Sequence, residues 1–365
     1  MKLSTLMVVY NRMNIGGIQK AIIDFLEYVE NKRIFRTVLI LRKADGEFIT
    51  DVPRVTELID LKSGKTIFDA ILIVFKLIIF INKIEPKRIL TFADHISLLT
   101  LIAVMFFRTR NIKVVVVEGI YLSLYLKNQR WGWLRKVLIA KFYPLAYKII
   151  VQTQAQEYDL LSNFNIPRNK ISIVRNWVGN STIEKIIHEG GAEKKYDIIF
   201  IGRLEDQKNL FLFIDVIHRL QTLFPNISAL VVGNGTQYHL LAEYAKKKKI
   251  NSSINFVGFT RNPFKYLFLA KIFLLTSKYE GQPISVIETM LAKLPVVAFR
   301  SPGISETVFD GRTGFVVSSQ EDAIDKITIL LKDHALRLEM GNNAYEMAKK
   351  YFTQKNMDKI IDNLI

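Results

Sequence analysis

Short β-branched runs recur along this chain with longer, helically patterned segments between them, and they do so in two separate trains. The first train lies at residues 6–10, 37–41, 88–92, 114–117 and 149–151; after a polar, glycine-containing stretch at 184–195, the second follows at 197–201, 228–232, 254–257, 272–276, 295–299 and 314–317. Alternation of strand and helix at this spacing is the rhythm of a parallel sheet wrapped by helices. A restart of that rhythm predicts an α/β chain with two doubly wound domains joined near residues 178–195. The expected division is 1–180, then 181–345, then 346–365, where apolar positions from 351 to 365 keep helical spacing with no strand after them, a terminal helix docked on one of the domains.

A length of 365 residues, half of them hydrophobic and 23% charged, supplies material for two such cores. The chain has no cysteine, which removes disulfides, thiolate metal sites and cysteine nucleophiles. Its 51 Lys and Arg stand against 34 Asp and Glu, a net charge of +17, so anionic partners are expected: nucleic acid, phosphorylated substrates or an acidic membrane surface. Residues 1–180 hold 27 basic and 14 acidic side chains, whereas 181–365 hold 24 and 20, so the anion-facing surface belongs mainly to the first half. The start, MKLSTLMVVYNR, reads as a first buried strand rather than a signal-peptide core. The longest apolar run, 70–81, is broken by Lys76 and falls short of the ~20 residues a spanning helix needs, so no transmembrane segment is expected.

Two segments of the first half combine apolar and basic residues. In 66–83, Asp69, Lys76 and Lys83 stand seven apart and leave a helix one narrow polar stripe. That pattern fits a core helix covering the sheet, and it also fits partial insertion into a membrane face. Residues 121–147 interleave Tyr121, Tyr125, Trp131, Trp133, Phe142 and Tyr143 with basic side chains, a mixture suited to the headgroup zone of an anionic bilayer or to a solvated basic helix with its aromatics buried.

Gly16 and Gly17 follow the first strand and open a helical pattern, so backbone N–H groups are offered at a helix N-terminus, the outline of a diphosphate site. In the second half, IFIGRLEDQKNL places Arg203 and Lys208 at the carboxyl end of a strand, where α/β sheets bind ligands. After the strand at 272–276 comes YEGQPISVIETM, with Glu280 in the loop and Glu288 about two turns inside the next helix. A carboxylate there suits the paired hydroxyls of a sugar or ribose.

The order of these motifs, with VVGNG at 231–235 and PGISETVFDGRTGFVV at 302–317, resembles the group 1 nucleotide-sugar glycosyltransferases of GT-B fold. The resemblance implies two Rossmann-like domains facing a central cleft, the donor held mainly by the C-terminal domain, and transfer with retention at the anomeric carbon. By the same resemblance, Arg203 and Lys208 neutralise the leaving diphosphate, Glu288 grips the ribose, and Glu280 lies near the donor sugar. Gly281 and Gln282 then line the sugar and phosphate site, and Gly16 and Gly17 close over the diphosphate.

No Asp-x-Asp signature occurs, so no metal and no cofactor is expected. The chain departs from the common family pattern in carrying Glu118 before Gly119 where many members have a histidine. Glu118 is thus a candidate for receiving the acceptor's proton or positioning its hydroxyl, and His95 is the other candidate in the first domain. Trp177, in VRNWVG, stands where the family often has Asn-Gly. His188, His218, His239 and His334 receive no role.

The expected activity is transfer of a hexose or N-acetylhexosamine from a nucleotide-sugar donor, a UDP-sugar, to a lipid-linked glycan or surface-polysaccharide acceptor. The expected setting is the cytoplasm, peripheral on the inner face of the cell membrane, with an anionic membrane surface as partner and no nucleic acid. A nucleotide-sugar epimerase of the same fold and a non-catalytic basic membrane-binding protein remain the alternatives.

Overall fold

A computed structural model describes residues 3–64, 66–179, 186 and 193–365. Most of the expected linker at 184–195, and His188 with it, lies outside the described residues. The chain divides into two units, residues 1–179 with 354–365 and residues 180–353.

The first unit is built on seven parallel strands: β1 (Thr5–Tyr10), β2 (Arg36–Leu41), β3 (Glu57–Asp60), β4 (Arg88–Phe92), β5 (Lys113–Val117), β6 (Lys148–Val151) and β7 (Ile171–Ile173). Their order across the sheet is β3-β2-β1-β4-β5-β6-β7. Runs such as MVVY and VVVV are apolar at every position because helices cover both faces of a parallel sheet, and these residues are buried. The helices Ile67–Ile84, Asp94–Val104 and Gly132–Phe142 form part of one covering layer, with Asp94–Val104 packed against both of the others.

The second unit repeats the plan with six strands: β8 (Tyr196–Ile201), β9 (Ala229–Val232), β10 (Ile254–Gly258), β11 (Ala270–Leu275), β12 (Val296–Phe299) and β13 (Gly314–Val317), ordered β10-β9-β8-β11-β12-β13 and again all parallel.

The helix within the expected terminal stretch is Lys355–Leu364, and a separate helix precedes it. That preceding helix, His334–Tyr351, belongs to the second unit, whereas Lys355–Leu364 packs on the first. Asp358 of that last helix accepts from Tyr28 Oη (2.7 Å) and Lys32 Nζ (2.8 Å), while Arg88 Nε donates to the Leu364 carbonyl (2.8 Å). Trp177 is buried with its ring against Phe25, and Gly179 N donates to Asp24 Oδ2 (3.0 Å), so the end of the first unit's main segment is pinned to the helix Gly17–Asn31.

Candidate functional site

In both sheets the strand order reverses once, between β1 and β4 in the first and between β8 and β11 in the second. Loops leaving the carboxyl ends of strands diverge at such a reversal and leave a crevice there, the usual ligand site of doubly wound sheets. Gly16, His95, Arg203, Lys208 and Glu280 follow the strands that flank these reversals, whereas Glu118 follows β5 and Glu288 lies inside a helix.

In the second unit, β8 ends at Ile201 and the chain passes through Gly202 and Arg203 into one 3-10 turn, Asp206–Lys208. Three hydrogen bonds tie this loop to the one after β11. Thr276 Oγ1 donates to the Lys208 carbonyl, Gln207 Nε2 to the Tyr279 carbonyl, and Lys278 N to the Gln207 carbonyl, each at 2.9 Å. The stitching brings Lys208 Nζ to 2.5 Å from Glu280 Oε1, with the two side chains 11% and 7% exposed. The sequence separates these residues by 72 positions, and the fold makes them an ion pair. Arg203 is exposed and has no ion pair or hydrogen bond among the described residues. The loop thus holds one cation fixed by a buried carboxylate and one left open to a ligand.

Glu280, Gln282 and Glu288 are all buried. Glu288 is the fifth residue of the helix Ile284–Leu291, just over one turn inside rather than the two turns expected, because the helix starts only after Pro283. Its N-cap residue, Pro283, offers no side-chain acceptor to the first turn. Two glycines let the loops close up. Gly303 has φ +82°, and a Cβ there would lie 1.8 Å from the Gly281 carbonyl oxygen; Gly233 has φ +142°, and its Cβ would lie 1.8 Å from the Gly202 carbonyl oxygen. Leu204 N also donates to the Asn234 carbonyl (3.0 Å), so the loops after β8, β9, β11 and β12 are packed into one cradle. Sequence reading missed this work of Gly303 and Asn234, although both lie in motifs it had marked.

In the first unit, Gly16 precedes the helix Gly17–Asn31, which has no side-chain cap. Gly16 is extended (φ 166°), so positive φ does not demand glycine there; a Cβ would instead meet the Gln19 amide oxygen at 2.5 Å. His95 follows β4 as the second residue of its helix, with a side chain 40% exposed and Nδ1 3.8 Å from Asp94 Oδ1. The preceding Ala93 sits at φ +69°, ψ 141°, a strained conformation for a residue with a Cβ.

Glu118, the candidate for receiving the acceptor's proton or positioning its hydroxyl, follows β5 and is not open to water. It is buried, accepts a 2.5 Å hydrogen bond from Tyr143 Oη, and leaves Oε2 without a partner among the described residues. Burial, reinforced by the nearby Asp94 charge, pushes its carboxyl up to about 8. Burial also works to raise Asp94, but its hydrogen bond with His95 and the Arg135 charge hold it below the usual carboxylate range. Arg135 forms an ion pair with Asp94. Tyr143, Asp94 and Arg135 were not singled out as site residues from sequence; the burial of Tyr143 and the pairing of residues 41 apart have no one-dimensional signal.

Among the described residues, no three His, Asp or Glu side chains gather closely enough to hold a metal ion. No helix among them is long and apolar enough to cross a membrane.

Residues 182–347 match the model of the family Glycosyl transferases group 1. Over this segment, which is less than half of its length, the chain is similar to the group 1 glycosyl transferases. The matched segment contains Arg203, Lys208, Glu280 and Glu288. An N-acetylgalactosamine-N,N'-diacetylbacillosaminyl-diphospho-undecaprenol 4-alpha-N-acetylgalactosaminyltransferase of Campylobacter jejuni is 28% identical to this chain over 231 residues, 62% of this chain and 62% of the relative. A poly(ribitol-phosphate) alpha-N-acetylglucosaminyltransferase of Staphylococcus aureus is 30% identical over 217 residues, 58% of this chain and 42% of the relative. The chain therefore spans less than two thirds of the length of either.

Among solved structures, Anabaena Alr3699/HepE in complex with UDP and glucose superposes with a TM-score of 0.78 at 18% identity, covering 98% of both chains. Staphylococcus aureus TarM gives 0.81 at 16% identity, covering 100% of this chain and 99% of that one. These likenesses show the fold, which is GT-B.

Proposed function

We propose that this chain is a retaining glycosyltransferase that moves a hexose or N-acetylhexosamine from a UDP-sugar to a lipid-linked glycan or a surface-polysaccharide intermediate. The observation that carries the reading is the pairing of Lys208 with Glu280 beside the open cation Arg203, at the strand-order reversal of the group 1 segment. Glycosyl transfer breaks the bond between the anomeric carbon and the diphosphate oxygen, so positive charge grows on the sugar while negative charge grows on the leaving group. A lysine held in place by a buried carboxylate meets that negative charge without reorganising as it develops. Arg203 supplies the second cation, and Glu288 is assigned to the ribose hydroxyls. Gly16 and Gly17 contribute the uncapped N–H groups of their helix to phosphate.

Because side-chain cations carry the charge in this reading, transfer is proposed to need no metal ion. The UDP assignment draws support from the Anabaena complex with UDP and glucose, and the acceptor class from the undecaprenol-linked and poly(ribitol-phosphate) substrates in the relatives' names. The proposed site of action is peripheral, on the inner face of the cell membrane.

A thermal-shift screen against UDP, GDP, ADP and their sugar conjugates tests the reading. A ligand at 100 times its Kd stabilises by ~2.7 kcal/mol. A shift selective for UDP or its sugars, abolished in both Arg203→Ala and Glu288→Ala, is expected; no shift with any nucleotide would overturn the assignment. Lys208→Ala is expected to lower kcat by roughly a hundred- to a thousandfold, the usual cost of removing one fixed donor to a developing anion.

A further inference from the structure

The helix Ile67–Ile84 buries only one of its faces. Ile73, Leu77 and Ile81 pack into the core of the first unit, and on the opposite side Ile67, Phe68, Ile71, Leu72, Phe75 and Ile79 are exposed. At 100° per residue these six occupy an arc of about 140° centred opposite the buried three. Phe68 is 84% exposed and Phe75 61%. Asp69, Lys76 and Lys83 fall together along one flank of that arc; Asp69 caps the helix with Thr66, Lys76 Nζ donates to the Leu61 carbonyl, and exposed Lys83 can keep its charge in water beside a buried apolar face. An aromatic and aliphatic surface of this width, left open by a helix that already has its core contacts, is rare on a chain that works alone in water.

Its surroundings say what covers it. The helix Asp94–Val104 packs against Ile67–Ile84 on one side and Gly132–Phe142 on the other, and the last of these presents exposed Trp133 and Val137, with exposed Trp131 just before it. Between residues 108 and 148 there are nine basic side chains and one acidic one, Glu118, which is buried. Arg110, at the end of the helical turn after Asp94–Val104, donates to Asn82 Oδ1 (2.9 Å) and so stands beside the C-terminal turn of the exposed helix. Asp69 at one end and Glu85, paired with Arg110, at the other are the acidic side chains of this helix, and the basic excess across 108–148 outweighs them, so the apolar strip with its cationic surroundings matches a bilayer with anionic headgroups over acyl chains. A second copy of this chain would bring the same positive charge to the contact.

We infer that the helix Ile67–Ile84 lies in the plane of an anionic lipid bilayer, with Phe68, Phe75 and their neighbours among the acyl chains and Trp131 and Trp133 at headgroup level. The inference deepens the proposed function, since it rests on a membrane-borne acceptor for its purpose and names the surface that meets the membrane. Of the two readings the sequence leaves open for 121–147, each holds for part of the segment: Trp131 and Trp133 are on the outside, whereas Tyr143 is wholly buried.

The test is flotation of the full chain with phosphatidylcholine vesicles, with and without phosphatidylglycerol, for the wild type and a Phe68→Ser, Phe75→Ser double variant. Each variant is checked by circular dichroism and by its thermal shift with UDP. Expected is binding that needs phosphatidylglycerol and falls at least about tenfold in the double variant, from the apolar area withdrawn, while the UDP shift is unchanged. Binding of the double variant equal to wild type would overturn the inference, because charge alone would then suffice. So would a solution dimer that the same substitutions dissociate, in a protein that ignores vesicles. A missing UDP shift with intact flotation counts against the glycosyltransferase reading, and an intact UDP shift without flotation counts against the membrane face.

Discussion

The Glu118 carboxyl is closed off from water, with Tyr143, Asp94, Arg135 and Asp159 as its polar and charged neighbours. Its ordinary value of 4.5 is raised to about 8, so near neutral pH the folded protein keeps a proton that the unfolded chain gives up. Between those two values the folded state binds more protons, and stability therefore falls as pH rises through that window. Glu118→Gln removes the titration and keeps a side-chain oxygen to accept from Tyr143, at the cost of a buried amide donor that offsets all pH values alike. Thermal unfolding from about pH 5 to about pH 9 should show the variant gaining on wild type as pH rises and levelling off above 8; parallel curves would reject the assignment. This residue also marks where sequence reading of the site runs out. Its place at a strand end was legible from VVVVEGI, but its environment depends on Tyr143, which sequence left open between a surface and a buried aromatic. Arg203, Lys208, Glu280 and Glu288 were legible as types in a pattern, whereas the ion pair between Lys208 and Glu280 required the two loops to be laid side by side.

Elements show the same division between local and non-local signals. The loop after β11 is held by Gly303, which reaches the Gly281 carbonyl only because it lacks a Cβ. Gly303→Ala combines a positive φ with a collision against backbone, whereas Gly311→Ala meets the same kind of φ (+72°) with nothing within 4 Å. The first should cost clearly more than the ~1 kcal/mol expected of strain alone and should weaken UDP binding; the second should cost about that much and leave UDP binding intact. Denaturant titration and the UDP thermal shift would separate the two, and equal effects would refute the packing argument. Most of the strands that sequence located have three or more consecutive apolar positions, as in MVVY and VVVV. The two it missed, β3 (ELID) and β7 (ISI), are short edge strands with few apolar residues, and an edge strand needs only one buried side. The exposed face of Ile67–Ile84 was legible as an apolar helix with a narrow polar stripe, but which half of that apolar surface meets the sheet is decided by packing.

At the scale of the whole molecule, the first unit is discontinuous: its last helix, Lys355–Leu364, is reached only after the chain has completed the second unit. Met357, Ile360, Ile361 and Leu364 are buried there, and full burial of such side chains contributes about 1.5–3 kcal/mol each, an upper range because unfolded chains are partly compact. Four of them rival the ~5–15 kcal/mol that holds a typical domain together. The polar ties act in the same direction, since Asp358 engages Tyr28 and Lys32 and Arg88 engages the Leu364 carbonyl. Nothing in the second unit's sheet depends on these contacts, and the residues assigned to UDP other than Gly16 and Gly17 lie in that unit. A chain ending at Thr353 should therefore unfold its first unit at a markedly lower temperature while the second keeps its transition. Differential scanning calorimetry should resolve two transitions, with UDP still raising the upper one. A single transition at the wild-type temperature would mean that the helix decorates the first unit, and the measured drop in the lower transition gives directly how far the chain's end stabilises its beginning.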